Sequence, residues 1–168
     1  MDSKSSHVCN VVDIIDNFLD KTDFKHIQKT IMGPEFPWYY LSHISDSKDA
    51  KHLYYFYHLF LKNEIKSPFF SLWEPFLKKL DYKALIRIKG GLYPSYPSVR
   101  PNNPHTDYRF KHKGCLFYIN SNNGPTVIEN KTILPKENRA VFFDSSIPHN
   151  SSLCSDQQVR VTVSFNYF

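Results

Sequence analysis

A chain of 168 residues with 41% hydrophobic residues carries enough apolar side chain for one core, so a single domain over 1–168 is expected. Lys and Arg number 21 against 16 Asp and Glu, but the excess of +5 is scattered along the chain instead of blocked, so solubility explains it as well as a nucleic-acid partner does. No apolar run approaches the roughly eighteen residues of a membrane span, no secretion signal opens the chain, and Cys9, Cys115 and Cys154 lack disulfide or zinc spacing, so a cytoplasmic protein without membrane contact is expected.

The aromatic content, with 14 Phe and 11 Tyr, suits pleated half-buried surfaces and leans towards a sheet-rich fold. Residues 11–19, VVDIIDNFL, read equally as a short strand or as the start of a helix. Over 22–32, Phe24, Ile27 and Ile31 recur at helical spacing, with Thr22 as the expected N-cap and Gly33-Pro34 as the stop. A second helix is expected from Ser67-Pro68, with Phe69, Leu72, Trp73, Phe76, Leu77 and Leu80 as its apolar stripe; Pro75 inside the stripe implies a kink or two shorter pieces.

From Ala84 the period changes to two. ALIRIKGGLY reads as a strand, and the following loop is irregular because Pro94, Pro97, Pro101 and Pro104 cannot sit in a ladder. GCLFYIN, PTVIE, RAVFFD and VRVTVSFNY follow as short strands, joined by turn-rich connections such as SNNG and DSSIPHNSS. The fold class is therefore α+β, with residues 1–81 a mostly helical support region and 82–168 an antiparallel sandwich or barrel.

In PHTDYRF, residues 104–110, an extended chain turns His105 and Asp107 to the same side. Taken alone, such a pair is more often a surface accident. His149, just after RAVFFD, is a third candidate, and two histidines with one carboxylate form the metal-binding triad of non-haem Fe(II) oxygenases. In VRVTVSFNY, Val159, Val161, Val163, Phe165 and Tyr167 share one face and Arg160, Thr162, Ser164 and Asn166 the other. A solvated polar face would explain the second set. An inward arginine beside a hydroxyl would instead suit a small dicarboxylate, which the planar guanidinium binds in pairs of bonds.

HTD, LFYIN, RAVFFD, PHN and VRVTVSFNY, in this order and spacing, make residues 82–167 resemble the 2-oxoglutarate- and Fe(II)-dependent dioxygenases of the double-stranded β-helix (jelly-roll) type, in their prolyl-hydroxylase-like branch. The resemblance implies a jelly roll with N-terminal packing helices. It also implies iron bound by His105, Asp107 and His149, 2-oxoglutarate held by Arg160, Thr162 and Tyr118, and O2-dependent hydroxylation of a small molecule or a peptide side chain. Asp107 is intact where halogenating relatives carry a small residue. Asn166 stands where the nucleic-acid-repair branch has a second arginine. Pro125 in Gly124-Pro125-Thr126 removes a backbone N–H that the family's Gly-Gly-Thr turn offers. Arg109, Tyr108, Trp38, Tyr39 and Tyr40 are candidates for the substrate mouth, although aromatics in such segments more often pack. The competing readings are a non-catalytic, metal-binding cupin-like domain, a nucleic-acid-binding protein suggested by the basic charge but lacking an interleaved basic and aromatic stripe, and a hydrolytic metalloenzyme, which lacks the clustered carboxylates of a two-metal site.

Overall fold

The computed structural model describes residues 12–44 and 53–168. Within the ambiguous segment, Asp13–Ile15 form a strand, β1, which pairs with β10 (Arg139–Asp144). Helix α1 (Lys21–Ile31) follows, and its expected stripe is buried, with Phe24, Ile27 and Ile31 each at most 2% exposed. Its first turn closes one residue pair earlier than the sequence suggests: Asp20 occupies the cap position and accepts from the Phe24 N–H through its carbonyl, so Thr22 already lies inside the helix. At Gly33 an added Cβ would meet the Lys29 carbonyl oxygen at 2.8 Å, which is why a glycine stands where the chain leaves the helix.

The second helical region splits at Pro75. Ser67 caps a 3-10 helix, Pro68–Trp73, by accepting from the Phe69 N–H at 3.1 Å, and a single turn, α2 (Glu74–Leu77), follows it. Proline has no N–H for the ladder, so it is tolerated only where a new helical segment starts. Trp73 and Phe76 are fully buried, and the Phe76 ring stacks on Phe165 with centroids 4.0 Å apart.

The region expected to be mostly helical also supplies strands. β2 (Tyr39–Leu41), β3 (Tyr55–Lys62) and β4 (Glu64–Ile65) precede β5 (Leu85–Pro94), and β3 pairs with β5 along most of its length. Its sequence, YFYHLFLK, shows no polar alternation because both faces are covered: Phe60 enters the core on one side and Tyr55 is buried on the other. The remaining strands are β6 (Arg100–Pro101), β7 (Lys113–Tyr118), β8 (Thr126–Ile128), β9 (Lys131–Ile133), β11 (His149–Leu153) and β12 (Val159–Tyr167). Contrary to the expectation of a wholly irregular loop, Pro94 and Pro101 each sit at a strand end, opposite Val159 and Ser152, positions where a missing N–H is tolerated. Part of DSSIPHNSS, expected as a connection, is thus the strand β11, fixed by pairing with β8 and β6.

Among the described residues the larger sheet runs β1-β10-β7-β12-β5-β3-β2, with β4 on β3, and the smaller runs β6-β11-β8-β9; the pairings are antiparallel. Two facing antiparallel sheets with few helices are the jelly-roll arrangement. One face of the large sheet, carrying Phe117, Ile119, Val161, Val163 and Phe165, packs against Phe24, Ile27, Ile31, Trp73 and Phe76 from the helices. The other face meets the small sheet through Tyr118, Val141 and Phe143 against Ile128 and Ile133. Cys115 and Cys154 are buried free thiols; Cys9 lies outside the described residues.

Candidate metal centre and its cavity

Strand β12 decides what faces the space between the sheets. Its valines and Phe165 enter the helix-side core, so the two-residue period turns Arg160, Thr162, Ser164 and Asn166 inward. This polar face is not solvated: Arg160 is 1%, Thr162 4% and Asn166 0% exposed. Across the ladder, Tyr93 lies opposite Arg160 and Arg87 opposite Asn166, so β5 presents Arg87, Lys89, Gly91 and Tyr93 to the same space. The cavity there has a volume of about 250 Å³.

The proline-broken loop after β6 is tied to β11 where His105 and His149 exchange two backbone hydrogen bonds of 2.9 Å. Two residues further on, the Asp107 N–H donates to the Ser145 carbonyl. These bonds bring ligand atoms of His105, Asp107 and His149 within 4.8 Å of one another. The two imidazoles have ring centroids 4.6 Å apart, and Phe143 packs edge-on to His149.

Each side chain is held in place by its neighbours. His149 Nδ1 donates to the Ile147 carbonyl at 2.9 Å, which orients the ring and leaves Nε2 as the nitrogen free to meet a ligand. Burial, together with the neighbouring His149, pushes the His105 pKa below its ordinary value and favours the neutral ring. Asp107 accepts from Arg87 Nη2 at 2.7 Å on one oxygen, and from Asn166 Nδ2 at 2.8 Å and the Ser145 hydroxyl at 3.1 Å on the other. Burial alone would raise its pKa, but the Arg87 charge, the Asn166 bond and the nearby His149 outweigh it and hold the carboxyl at about 2. Arg87 also donates to Asn166 Oδ1, so the carboxylate, guanidinium and amide form one network.

The other end of the cavity is built around Arg160. Its Nε donates to the Gly124 carbonyl at 3.1 Å and its Nη2 to the Thr126 hydroxyl at 2.8 Å, while the rings of Tyr93 and Tyr118 flank the guanidinium. Thr126 also accepts from the Tyr118 hydroxyl at 2.8 Å. No carboxylate pairs with Arg160 among the described residues. A guanidinium this deeply buried without a counter-ion is costly unless an anionic ligand completes it. Pro125 removes one backbone donor, as the sequence implies, yet the turn still contributes through the Gly124 carbonyl and the Thr126 side chain.

The cavity thus gathers His105, Asp107, His149, Arg160 and Thr162, with Tyr118 behind Arg160. None of the five residues expected at the substrate mouth lines it, and Tyr39 and Tyr40 are exposed on β2. Trp38 donates to the Ile31 carbonyl and packs on the helix-side core against Phe36, Arg109 is exposed, and Tyr108 stacks with Phe110 beside Arg87. Although Tyr108 and Arg109 directly follow Asp107, the cavity lining ends at Asp107 on this segment. Sequence reasoning missed Arg87, Lys89, Ser145 and Thr126. For Arg87 and Lys89 the signal was present in the alternation of LIRIKGG, where Ile88 is the buried partner of the two-residue period.

No family model and no curated protein sequence matches the chain. Solved structures do match its fold. A prolyl hydroxylase from Trichoplax adhaerens, solved with a peptide of the hypoxia-inducible factor oxygen degradation domain, superposes with a TM-score of 0.61 at 15% identity, covering 95% of this chain and 84% of that one. HygX from Streptomyces hygroscopicus, solved with nickel and 2-oxoglutarate, gives 0.61 at 8% identity over 94% and 82%. The α-ketoglutarate-dependent epimerase SnoN of nogalamycin biosynthesis gives 0.60 at 10% identity over 95% and 78%. The chain has the fold of the 2-oxoglutarate/Fe(II) oxygenases.

Proposed function

We propose that the protein is an Fe(II)- and 2-oxoglutarate-dependent dioxygenase whose metal ligands are His105, Asp107 and His149. The observation that carries this reading is the buried, carboxylate-free Arg160 in the same cavity as two histidines and an ionised aspartate whose ligand atoms converge. Two imidazoles and one carboxylate suit Fe(II) and leave coordination positions open. A non-catalytic metal-binding domain would give no role to Arg160, and a hydrolytic two-metal site would need further carboxylates beside Asp107.

Iron and 2-oxoglutarate together supply the O2 activation that amino-acid side chains cannot. The chain supplies position and charge. Arg87, Asn166 and Ser145 keep Asp107 ionised and fixed, and the Ile147 carbonyl orients His149. Arg160, Thr126 and Thr162, with Tyr118 behind them, would hold the distal carboxylate of 2-oxoglutarate, and the surrounding sheets would shield it from water. The reaction is hydroxylation of a small molecule or a peptide side chain, a reading supported by the complete His-Asp-His set and the likeness to hydroxylases. No helix among the described residues is long and apolar enough to cross a membrane. The buried thiols Cys115 and Cys154 accord with a cytoplasmic location.

The test is metal stoichiometry and 2-oxoglutarate-dependent succinate release for wild type, His149→Ala and Asp107→Ala. Wild type binds one Fe(II) per chain and releases succinate, and both variants lose metal and turnover while keeping their far-UV circular dichroism. Variants that match wild type in iron content and turnover would refute the ligand assignment.

A further inference from the structure

The cavity holds a second cation without a carboxylate partner. Lys89 is half-buried on β5, two residues from Arg87 on the same face. Its ammonium donates to the Tyr55 hydroxyl at 2.8 Å and lies over the rings of Tyr55 and Tyr57 at 5.2 and 5.5 Å. Among the described residues it makes no ion pair. Asp107, whose charge reaches Lys89, already spends its oxygens on Arg87, Asn166 and Ser145. Burial accordingly pushes the Lys89 pKa below its ordinary range.

The direction in which Lys89 leans separates its role from that of Arg160. Arg160 and Thr162 stand on β12, whereas both tyrosines that hold the Lys89 ammonium stand on β3, on the opposite side of β5. The Tyr55 hydroxyl accepts from Lys89 and keeps its own hydrogen free to donate, and the Tyr55 ring stacks on Tyr93 at 5.1 Å. Gly91 permits that stack, because a Cβ there would meet the Tyr93 ring at 2.8 Å. An ammonium and a hydroxyl, both with donors to spare, therefore face the cavity from the β3 side of β5, with the Tyr93 ring between them and Arg160.

We propose that Lys89 and Tyr55 bind a carboxylate of the primary substrate, so that the substrate class is an acidic small molecule or an acidic peptide. This rests on the dioxygenase reading and adds to it which end of the substrate the protein recognises. A neutral substrate would leave the ammonium desolvated and unpaired in the closed complex, whereas a carboxylate gains a charge-assisted bond there.

The experiment compares wild type with Lys89→Met, which preserves much of the side-chain volume and removes the charge. Affinity for 2-oxoglutarate is read anaerobically with Fe(II) by the charge-transfer absorbance. Succinate release above background is read with free amino acids and with Asp- or Glu-containing peptides, each beside its amide counterpart. The expected result is unchanged 2-oxoglutarate affinity in Lys89→Met, stimulation of wild type by acids over amides, and loss of roughly thirtyfold or more of that preference in the variant. Its thermal midpoint stays level or rises, because an unpaired charge has been removed from a half-buried site. Loss of 2-oxoglutarate affinity in Lys89→Met would overturn the proposal by assigning Lys89 to the cosubstrate. Stimulation by no acid in the panel, or equal stimulation by acids and amides, would overturn it as well. Absence of the absorbance band in wild type would instead remove the dioxygenase reading itself.

Discussion

Truncating Arg160 is the sharpest perturbation of the proposed cosubstrate site. The guanidinium is 1% exposed and sits between the rings of Tyr93 and Tyr118, so a carboxylate bound to it is shielded from water. Removing one member of such a pair leaves the other desolvated and unpaired, at a cost of roughly 2–5 kcal/mol. At ~1.4 kcal/mol per decade this weakens 2-oxoglutarate binding by about thirtyfold to several-thousandfold in Arg160→Ala. The deep burial argues for the upper half of that range. Arg160→Lys recovers only part of the loss: an ammonium keeps the charge, but it cannot reach the Gly124 carbonyl and the Thr126 hydroxyl and still present a planar fork. Iron affinity changes little, since Arg160 is no ligand in this assignment. The assay is anaerobic titration of 2-oxoglutarate into each Fe(II)-loaded protein, followed by charge-transfer absorbance. Equal affinities across the three proteins would show that the unpaired guanidinium serves something other than this ligand, and the dioxygenase assignment would lose its main support.

The network around Asp107 predicts an acid-limb effect in the metal-free protein. Its carboxyl is held at about 2 against an ordinary 3.8, so the native state binds fewer protons there than the unfolded chain; about 2 kcal/mol of stability is therefore present in full above about pH 4 and is lost as pH falls through the native value. Arg87→Met raises the Asp107 pKa and shrinks that dependence, which thermal melts between about pH 2 and 6 will register; identical curves for variant and wild type would refute the linkage. A fragment covering 82–168 is expected to be insoluble or much less stable than the full chain, because it loses β3 from the edge of β5 and strips Trp73 and Phe76 from Phe165. Chemical denaturation with equal midpoints would mean that the two regions fold independently.

The strands that sequence reasoning located are those whose two faces meet different surroundings. β12 alternates cleanly because one face enters the helix-side core and the other the polar cavity. β3 escaped notice because that contrast is absent: Tyr55 and Tyr57 on one face and His58 and Phe60 on the other are all aromatic. His58 is itself held inside by the Pro37 carbonyl and the Ser67 hydroxyl, both at 2.7 Å, partners that no local pattern announces. The strand β11, HNSSL, failed for the opposite reason, since its short polar sequence has turn character and only the pairing with β8 and β6 makes it a strand. Tertiary pairing overrides local propensity in both cases.

The candidate metal ligands were legible because they cluster in short motifs with fixed spacing, while the groups that control them were not. Arg87 lies twenty residues from Asp107 in sequence and reaches it only because β5 is in register with β12, which sets Arg87 opposite Asn166. Asn166, where the repair branch carries an arginine, therefore has a guanidinium beside it that arrives from across the ladder. That arrangement tolerates no slip. Shifting β5 by one residue would turn Arg87 and Lys89 into the helix-side core and aim Ile88 and Gly90 at the cavity. The register is held by the burial of Ile88 with Val163 and Phe165, all 0% exposed, on the far face of the sheet from the candidate iron site. The apolar half of the alternation thus fixes where the polar half points, and the charge state of Asp107 follows from packing on the opposite side of the sheet.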